Sequence, residues 1–366
     1  MLPRDAVPAG PLVLRELTVA DADAVTSGCS DPEIARFIPA VPSPYTLDDA
    51  HTFITKIAPD LWDRGGACFA ISDSPAGAWL GTVSLKPPDV RGNGEVGYMV
   101  APWARRRGVA SAAARALAEW AFAQGVARVE LVADVDNPAS QRVAVAAGFR
   151  YEGVQRGASP LRDGGRGDVA SFARLADDPG EPGPRYLPDF PGGSLSDGVV
   201  EISPLTLADA DGYQEMMGEP EAMAYSVPPE PPDMEETLRR CRYTPLWWLT
   251  GERAEMGVRD ALTGELAGHL QLMNVVPPLG QAMIGYNLAR RFRGRGFMTR
   301  SVGLLTEWAF GHTALHRLVA GTAVGNTASQ RVLERAGFTR EALIRSLLPS
   351  PDGGWDDDVQ WVLLRD

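Results

Sequence analysis

The chain has few of the residues that build metal and disulfide sites. Three cysteines and four histidines occur among its 366 residues. Cys29, Cys68 and Cys241 lie at unrelated spacings, whereas disulfide frameworks and zinc sites place their ligands at recurring separations. The sequence therefore predicts reduced thiols, no metal site and a cytoplasmic location.

An excess of positive charge and a long apolar run are also missing. The net charge is −12 at pH 7, whereas a nucleic-acid-binding surface needs clustered positive charge. No apolar run is long enough to cross a bilayer. The amino terminus carries Arg4 and Asp5 and no continuous apolar core, unlike a signal peptide. We expect neither nucleic acid nor a membrane as a partner.

The most informative feature that is present is a duplication. Four motifs occur in the same order in both halves: GYMVA and GYNLA at 97–101 and 285–289, RRRGVA and RGRGFM at 105–110 and 293–298, NPASQRV and NTASQRV at 137–143 and 326–332, and AGF at 147–149 and 336–338. The offset is 188 positions from Gly97 to Gly285 and 189 from Asn137 to Asn326. A repeat this long indicates a duplicated domain, because a solenoid has a shorter period.

A segment dense in proline and glycine joins the two copies. Residues 177–198 read DDPGEPGPRYLPDFPGGSLSDG, a composition unsuited to the interior of a helix or a sheet. We therefore predict an N-terminal domain at 1–176, a linker at 177–198 and a C-terminal domain at 199–366. Each domain is long enough to bury its own core.

Both copies show the same order of predicted elements. An opening strand leads into helices, which are followed by an antiparallel meander and then by a strand-helix-strand-helix-strand order. The helix after the first loop carries an apolar stripe formed by Ala113, Leu117, Trp120 and Ala121. The order predicts an α+β fold for each domain, with a mixed, mostly antiparallel sheet and helices on both faces.

The arginine- and glycine-rich loops carry the candidate chemistry. Each loop follows a Gly-Tyr strand and opens a helix. The first amides of a helix lack internal acceptors, and together with the helix dipole they attract anions such as phosphate. Gly108 and Gly296 let the backbone approach closely, and Arg105 and Arg293 add positive charge. Neither loop has the Lys-Ser/Thr of a nucleotide-binding P-loop.

The loop, and the Asn-x-Ala-Ser-x-Arg-Val helix that ends in Ala-Gly-Phe, resemble the acetyl-CoA-binding motifs of the GNAT N-acetyltransferase superfamily. They are most similar to its ribosomal-protein alanine N-acetyltransferase branch. The resemblance implies two GNAT-like domains in tandem, each with a splayed parallel strand pair, and acetyl-CoA or another acyl-CoA as co-substrate without a metal. It assigns cofactor binding to Met99, Val100, Arg105, Arg106, Arg107, Gly108, Val109, Ala110, Asn137 and Ser140, and to Asn287, Leu288, Arg293, Gly294, Arg295, Gly296, Phe297, Met298, Asn326 and Ser329.

The candidate catalytic residues differ between the copies. Glu95 precedes the first Gly-Tyr motif and could deprotonate an ammonium group, although a solvent-facing strand residue is an equally good interpretation. Met283 occupies the matching position in the second copy and cannot act as a base. The resemblance places Ser140 and Ser329 near the thioester sulfur, while a simpler interpretation is a first-turn serine bonded to the backbone.

Together the motifs predict an N-acyltransferase that moves an acetyl group from acetyl-CoA to a primary amine by direct transfer in a ternary complex. The acceptor is a small-molecule amine or a peptide amino terminus. Two alternatives stay open: a longer-chain acyltransferase that uses acyl-CoA or acyl carrier protein, and a non-catalytic acyl-CoA-binding protein. Glu95 favours the first copy for the chemistry. The sequence leaves open the acceptor, the active half and whether the chain forms a homodimer.

Overall fold

The computed structural model of the protein describes residues 2–350 and 353–365. The chain divides into two compact units, Met1–Pro184 and Arg185–Asp366, and each unit holds one copy of the duplicated motifs. The boundary between the units falls inside the predicted linker. Within the described ranges, no helix is long and apolar enough to cross a membrane.

The N-terminal unit contains an eight-stranded sheet. Its strands are β1 (Val7–Ala9), β2 (Leu12–Arg15), β3 (Ala67–Ser72), β4 (Trp79–Leu85), β5 (Asn93–Val100), β6 (Arg128–Asp134), β7 (Arg150–Pro160) and β8 (Arg166–Leu175). They lie side by side in the order β1-β2-β3-β4-β5-β6-β8-β7. Only β5 and β6 pair in parallel among these neighbours, so the predicted mixed, mostly antiparallel sheet is confirmed.

The helices of the N-terminal unit are α1 (Ala22–Cys29), α2 (Pro32–Phe37), α3 (Leu47–Thr52), α4 (Ala58–Asp63), α5 (Val109–Ala123) and α6 (Pro138–Ala146). Helix α5 buries Ala113, Leu117 and Ala121, as the apolar stripe predicts. Helix α6 is capped by Asn137, whose side chain accepts a hydrogen bond from the Ser140 amide. These two helices begin at the loops that carry the motifs.

The parallel pair opens like a fork. Residues 93–95 of β5 pair with residues 128–130 of β6, and beyond them β5 pairs only with β4 on its other side. A backbone edge without a sheet partner must find another hydrogen-bonding partner. The fork therefore provides a slot in which a ligand can bond to the main chain.

The C-terminal unit repeats this architecture. Its strands are β9 (Leu195–Ser196), β10 (Val200–Pro204), β11 (Ala254–Asp260), β12 (Leu266–Val276), β13 (Gln281–Leu288), β14 (Arg317–Ala323), β15 (Thr339–Pro349) and β16 (Trp355–Leu364). The strand order is β15-β16-β14-β13-β12-β11-β10-β9. The parallel pair is β13 with β14, and it is limited to residues 281–283 and 317–319.

The helices of this unit are α7 (Ala210–Met217), α8 (Pro220–Met223), α9 (Met234–Thr250), α10 (Phe297–His312) and α11 (Thr327–Arg335). The long helix α9 distinguishes the two units. Its N-cap Asp233 accepts a hydrogen bond from the Glu236 amide, and it ends at Gly251 with φ +74°. The N-terminal unit has α3, a π-helical segment Phe53–Ile57 and α4 in the same stretch of its repeat.

Part of the predicted linker packs into the C-terminal core. Leu187 and Phe190 are buried there. The Phe190 ring meets the rings of Trp248 and Trp308 edge-on, at 4.9 Å between centroids in both cases. The Trp248 indole also donates a hydrogen bond to the Pro188 carbonyl at 3.0 Å. This stretch therefore belongs to the core of the second unit, and Leu187 and Phe190 are the linker residues whose apolar character favours such packing.

Candidate active site

The two arginine- and glycine-rich loops adopt one backbone conformation. Gly108 and Gly296 are the residues before α5 and α10, with φ +74° and +77°. Two positions earlier, Arg106 and Gly294 are also left-handed, with φ +62° and +74°. Glycine adopts this region without a steric cost, and Arg106 tolerates it in the first copy. Each loop thereby leads into a helix whose first amides lack internal acceptors, the arrangement that the predicted anion site requires.

Most of the loop side chains are buried or bonded to other groups of the protein. Val109, Phe297 and Met298 are buried, so only their backbone amides can face a ligand. Arg105 forms an ion pair with Asp31 at 2.8 Å. Arg293 donates to the Leu288 carbonyl at 3.0 Å.

This placement differs from the simple expectation that these two arginines only add charge for an anion. Both side chains brace the loop against the preceding strand, because Arg105 likewise donates to the Val100 carbonyl at 3.2 Å. The loops therefore offer their backbone amides, more than these two side chains, to an anion.

The predicted thioester-binding residues lie at the open part of the fork. Met99 pairs with Thr82 of β4, and Asn287 pairs with His269 of β12. Both positions lie beyond the parallel pairing. The strand edge on the side of the fork is therefore available to a ligand.

A partly buried tyrosine accompanies the predicted Asn-Ser pair in each unit. In the N-terminal unit the Tyr98 hydroxyl lies 2.7 Å from Ser140 Oγ. In the C-terminal unit the Tyr286 hydroxyl lies 2.8 Å from Ser329 Oγ. Burial raises the pKa of each tyrosine to about 12 against the lowering effect of the serine hydrogen bond, so both phenols stay protonated. The sequence repeats the Gly-Tyr signal, but its pattern does not reveal this contact.

Glu95 lies at the last pair of the parallel ladder, opposite Glu130. Its carboxylate binds the Lys86 ammonium at 2.6 Å, and its side chain is 31% exposed. A base bound to a lysine must first give up that ion pair. The catalytic role of Glu95 therefore stays a prediction.

A cavity of about 440 Å³ lies in the C-terminal unit. It includes the fork and the N-terminus of α11, because Asn287, Asn326, Ser329 and Tyr286 line it. Much of the remaining wall is apolar: Met217, Met273, Met283, Leu333, Leu347 and Leu348. The residues that the motifs predict for the second copy thus meet in one pocket.

Sequence reasoning missed a cluster of buried charges beside this cavity. Glu255 is 0% exposed. Its carboxylate accepts from His269 Nε2 at 2.6 Å and from Arg240 Nη1 at 2.7 Å, and it also binds Arg253. Burial alone would raise the pKa of Glu255, but the nearby His269 and the two arginines hold that pKa below its ordinary value.

The cluster occurs in one unit only. Cys68 and Thr82 occupy the positions of Glu255 and His269 in the N-terminal unit, as the matching strand registers show. His269 lines the cavity, and its bond to Glu255 engages one ring nitrogen. The charges of the cluster are therefore a feature of the second copy.

Comparison with known families agrees with this geometry. Residues 11–150 and 200–339 each match the Acetyltransferase (GNAT) domain. The chain belongs to the GNAT acetyltransferase family. Both copies of the domain are present, so the resemblance and the tandem α+β fold that the sequence predicts are confirmed.

Bacterial proteins are similar to parts of the chain. "Probable N-acetyltransferase YjcK" of Bacillus subtilis is 36% identical over 115 residues, which are 31% of this chain and 63% of that protein. "Uncharacterized N-acetyltransferase YoaA" of the same organism is 28% identical over 147 residues, which are 40% of this chain and 82% of that protein. The chain thus matches less than two thirds of the length of YjcK.

Solved structures of single-domain size also match. RimL, a ribosomal L7/L12 α-N-protein acetyltransferase in complex with coenzyme A, is 22% identical, with a TM-score of 0.43. The match covers 46% of this chain and 95% of RimL. A ribosomal-protein-S5-alanine acetyltransferase from Vibrio fischeri is 21% identical, with a TM-score of 0.43, and the match covers 47% of this chain and 97% of that one.

Proposed function

We propose that the protein transfers an acetyl group from acetyl-CoA directly to a primary amine. The observation that carries this proposal is the site in the C-terminal unit. There an anion-binding helix N-terminus, an open fork and a Tyr-Ser pair lie along β13, α10 and α11. Family membership supports acetyl transfer. The acceptor and the order of events belong to the proposal.

Each part of acetyl-CoA matches one part of the site. Its pyrophosphate would lie on the outward amides at the N-terminus of α10, where the helix dipole favours negative charge. Its pantetheine arm would hydrogen-bond to the open edges of β13 and β14. Amides near Asn287 and Leu288 would then polarise the thioester carbonyl, and such donors supply about 2.7–4 kcal/mol of transition-state stabilisation.

The Tyr-Ser pair supplies a proton donor for the leaving group. As the amine nitrogen bonds to the carbonyl carbon, the C–S bond breaks and the thiolate needs a proton. Ser329 Oγ can donate that proton and recover one from the Tyr286 hydroxyl, since the two oxygens are 2.8 Å apart. The proton that the amine nitrogen loses on forming the amide then returns Tyr286 to its neutral form. The N-terminal unit carries the same pair as Tyr98 and Ser140.

Direct transfer is favoured over a covalent acyl-enzyme. Cys29, Cys68 and Cys241 are all buried. Burial raises the pKa of the three thiols to about 11, 12 and 11, so none forms the thiolate that attacks a thioester at neutral pH. This supports attack of the acceptor amine on acetyl-CoA itself, in a ternary complex.

The acceptor is a small-molecule amine or a peptide amino terminus. The name of RimL refers to a protein acceptor, and that supports including peptides. A longer acyl group is the second candidate for the donor, because the apolar wall of the cavity, with Leu333, Leu347 and Leu348, could hold an alkyl chain.

Steady-state kinetics tests the proposal. Free-thiol release is measured with acetyl-, butyryl- and octanoyl-CoA against hexylamine and a peptide that begins with alanine. We expect release that depends on the amine, intersecting initial-rate plots, and retained activity in a Cys29→Ser, Cys68→Ser, Cys241→Ser variant. Parallel plots with an acyl-cysteine adduct would overturn direct transfer. No thiol release with any pair would indicate a binding protein.

A further inference from the structure

One carboxylate in the C-terminal cavity has no bonding partner for one of its oxygens. Asp358 lies on β16 opposite Ala323 of β14. Its side chain lines the cavity and is 1% exposed. In the described part of the chain no group forms a hydrogen bond with Oδ1, while the carboxylate receives a long hydrogen bond, 3.4 Å to Oδ2, from Gln360 and another from the Thr322 amide. An unpaired buried carboxylate costs stability, so it is expected where a ligand uses it.

The backbone makes room for this carboxylate at the fork. A Cβ atom on Gly321 of β14 would lie 2.8 Å from Asp358 Oδ1, so the carboxylate keeps this position because residue 321 has no side chain. Val132 and Val169 stand at the equivalent positions of the N-terminal unit, as the matching registers of β6 with β8 and β14 with β16 show. The glycine and the carboxylate are therefore a paired feature of the second copy.

The charges around the cavity favour a cationic guest. Glu230 and Glu236 line it as exposed carboxylates. Arg240 also lines it, but Arg240 is bound to Glu255, which offsets its charge. Asp358 takes part in none of the ion pairs found in the described residues, and no group of three metal-ligating side chains occurs there. The unmatched charge of the wall is therefore negative.

We propose that Asp358 binds the ammonium group of the acceptor in the C-terminal unit, and that the acceptor carries this ammonium on an apolar body. The apolar body would pack against the methionines and leucines of the wall. This inference rests on the proposed acetyl transfer, and it adds the unit, the residue and the class of acceptor.

The proton balance follows from this placement. The ammonium gives one proton to the Asp358 carboxylate, and the free amine attacks the thioester carbon. The N–C bond forms, the C–S bond breaks, and the remaining extra proton on nitrogen leaves with the help of Ser329 to give the CoA thiol. Asp358 then returns its proton to solvent. Burial raises the pKa of Asp358 despite the hydrogen bonds from Gln360 and the Thr322 amide, which makes it a better proton acceptor than an ordinary aspartate.

The test compares Asp358→Asn with Asp356→Asn, an exposed aspartate on the same strand. With hexylamine and with an alanine-initiated peptide, we expect kcat/KM for the amine to fall about ten- to a thousandfold in Asp358→Asn. The KM for acetyl-CoA and the activity of Asp356→Asn should stay unchanged. The substrate whose kcat/KM falls further in Asp358→Asn, hexylamine or the peptide, shows whether small amines or peptides use the site.

A measurement of binding separates this inference from the proposed function. In the presence of CoA, hexylamine should raise the Tm of the wild type, hexanol should not, and Asp358→Asn should lose the shift. The Tm of ligand-free Asp358→Asn should be equal to or above that of the wild type, since an unpaired charge is removed. A lower Tm, or unchanged turnover in Asp358→Asn, would overturn the role of Asp358. If hexylamine raises the Tm of the wild type but no thiol is released, the ammonium site is supported and the proposed acetyl transfer is contradicted.

Discussion

Two carboxylates, one in each unit, occupy different chemical settings. Glu95 is bound to Lys86 on the rim of the first fork, whereas Asp358 is buried beside the second fork. Glu95 would have to leave its ion pair before it could act as a base. Asp358 forms no ion pair among the described residues, and one of its oxygens has no hydrogen-bond donor there. At the level of single residues the two copies have therefore diverged.

The role of Glu95 can be tested with the second site disabled. In a Gly296→Asp background, Glu95→Gln should lower the remaining turnover about ten- to a thousandfold if Glu95 is a base. CoA affinity should not change, because the carboxylate does not belong to the loop. Glu130→Gln, at the neighbouring register position, is the matched control. No remaining turnover in the background, or equal rates with and without Glu95, would remove Glu95 from the chemistry.

At the scale of elements, the loop and the helix that follows it act together. Gly108 and Gly296 have left-handed backbones, and a Cβ at either position would find no close backbone atom. The space in front of α5 and α10 is therefore open. A phosphate fits this space, and a carboxylate placed there would repel the phosphate because both groups are negatively charged.

Substituting these glycines tests the anion site. Gly108→Ala and Gly296→Ala should cost about 1–2 kcal/mol of backbone strain, while Gly108→Asp and Gly296→Asp add a negative charge as well. We expect calorimetric titration to show CoA binding weakened by alanine and abolished by aspartate in at least one unit. Equal CoA affinities for all four variants and the wild type would show that the phosphate lies elsewhere.

For the molecule as a whole, the buried charges of the C-terminal unit make its stability depend on pH. Glu255 joins Arg240 of α9 to His269 of β12. Its pKa is lowered in the folded protein from an ordinary value of 4.5. Its contribution is therefore fully present above pH 4.5 and is lost as the pH falls through the lower, folded-state pKa.

Glu255→Gln measures this contribution. Removing one partner of a buried ion pair costs about 3–5 kcal/mol, so at pH 7 the C-terminal unit should unfold at a lower denaturant concentration. The difference in free energy of unfolding between Glu255→Gln and the wild type should be smaller at pH 3 than at pH 7. Glu152→Gln removes the 45%-exposed partner of Arg128 in the N-terminal unit, and it should cost less than about 1 kcal/mol. A loss of the same size in both variants would contradict a special role of the cluster.

The sequence by itself determined the duplication, the α+β class, the order of elements and the family. These features are local, because a glycine before a helix, a capping asparagine and an apolar stripe act within a few residues of chain. The motifs that carry them, from the Gly-Tyr strand to Ala-Gly-Phe, occur twice in the sequence. The Gly108 and Gly296 loops lie at helix starts in the structure, as expected.

Only the tertiary structure decided which side chains meet. Glu255 bonds to His269 across the β11–β12 pair, and Arg240 of α9 bonds to the same carboxylate. The Asp358 carboxylate of β16 lies over Gly321 of β14. Strand register sets such contacts, and nothing in the spacing of single residues fixes it. Burial then sets their charges, because a carboxylate in water and one inside the protein differ in desolvation and in partners.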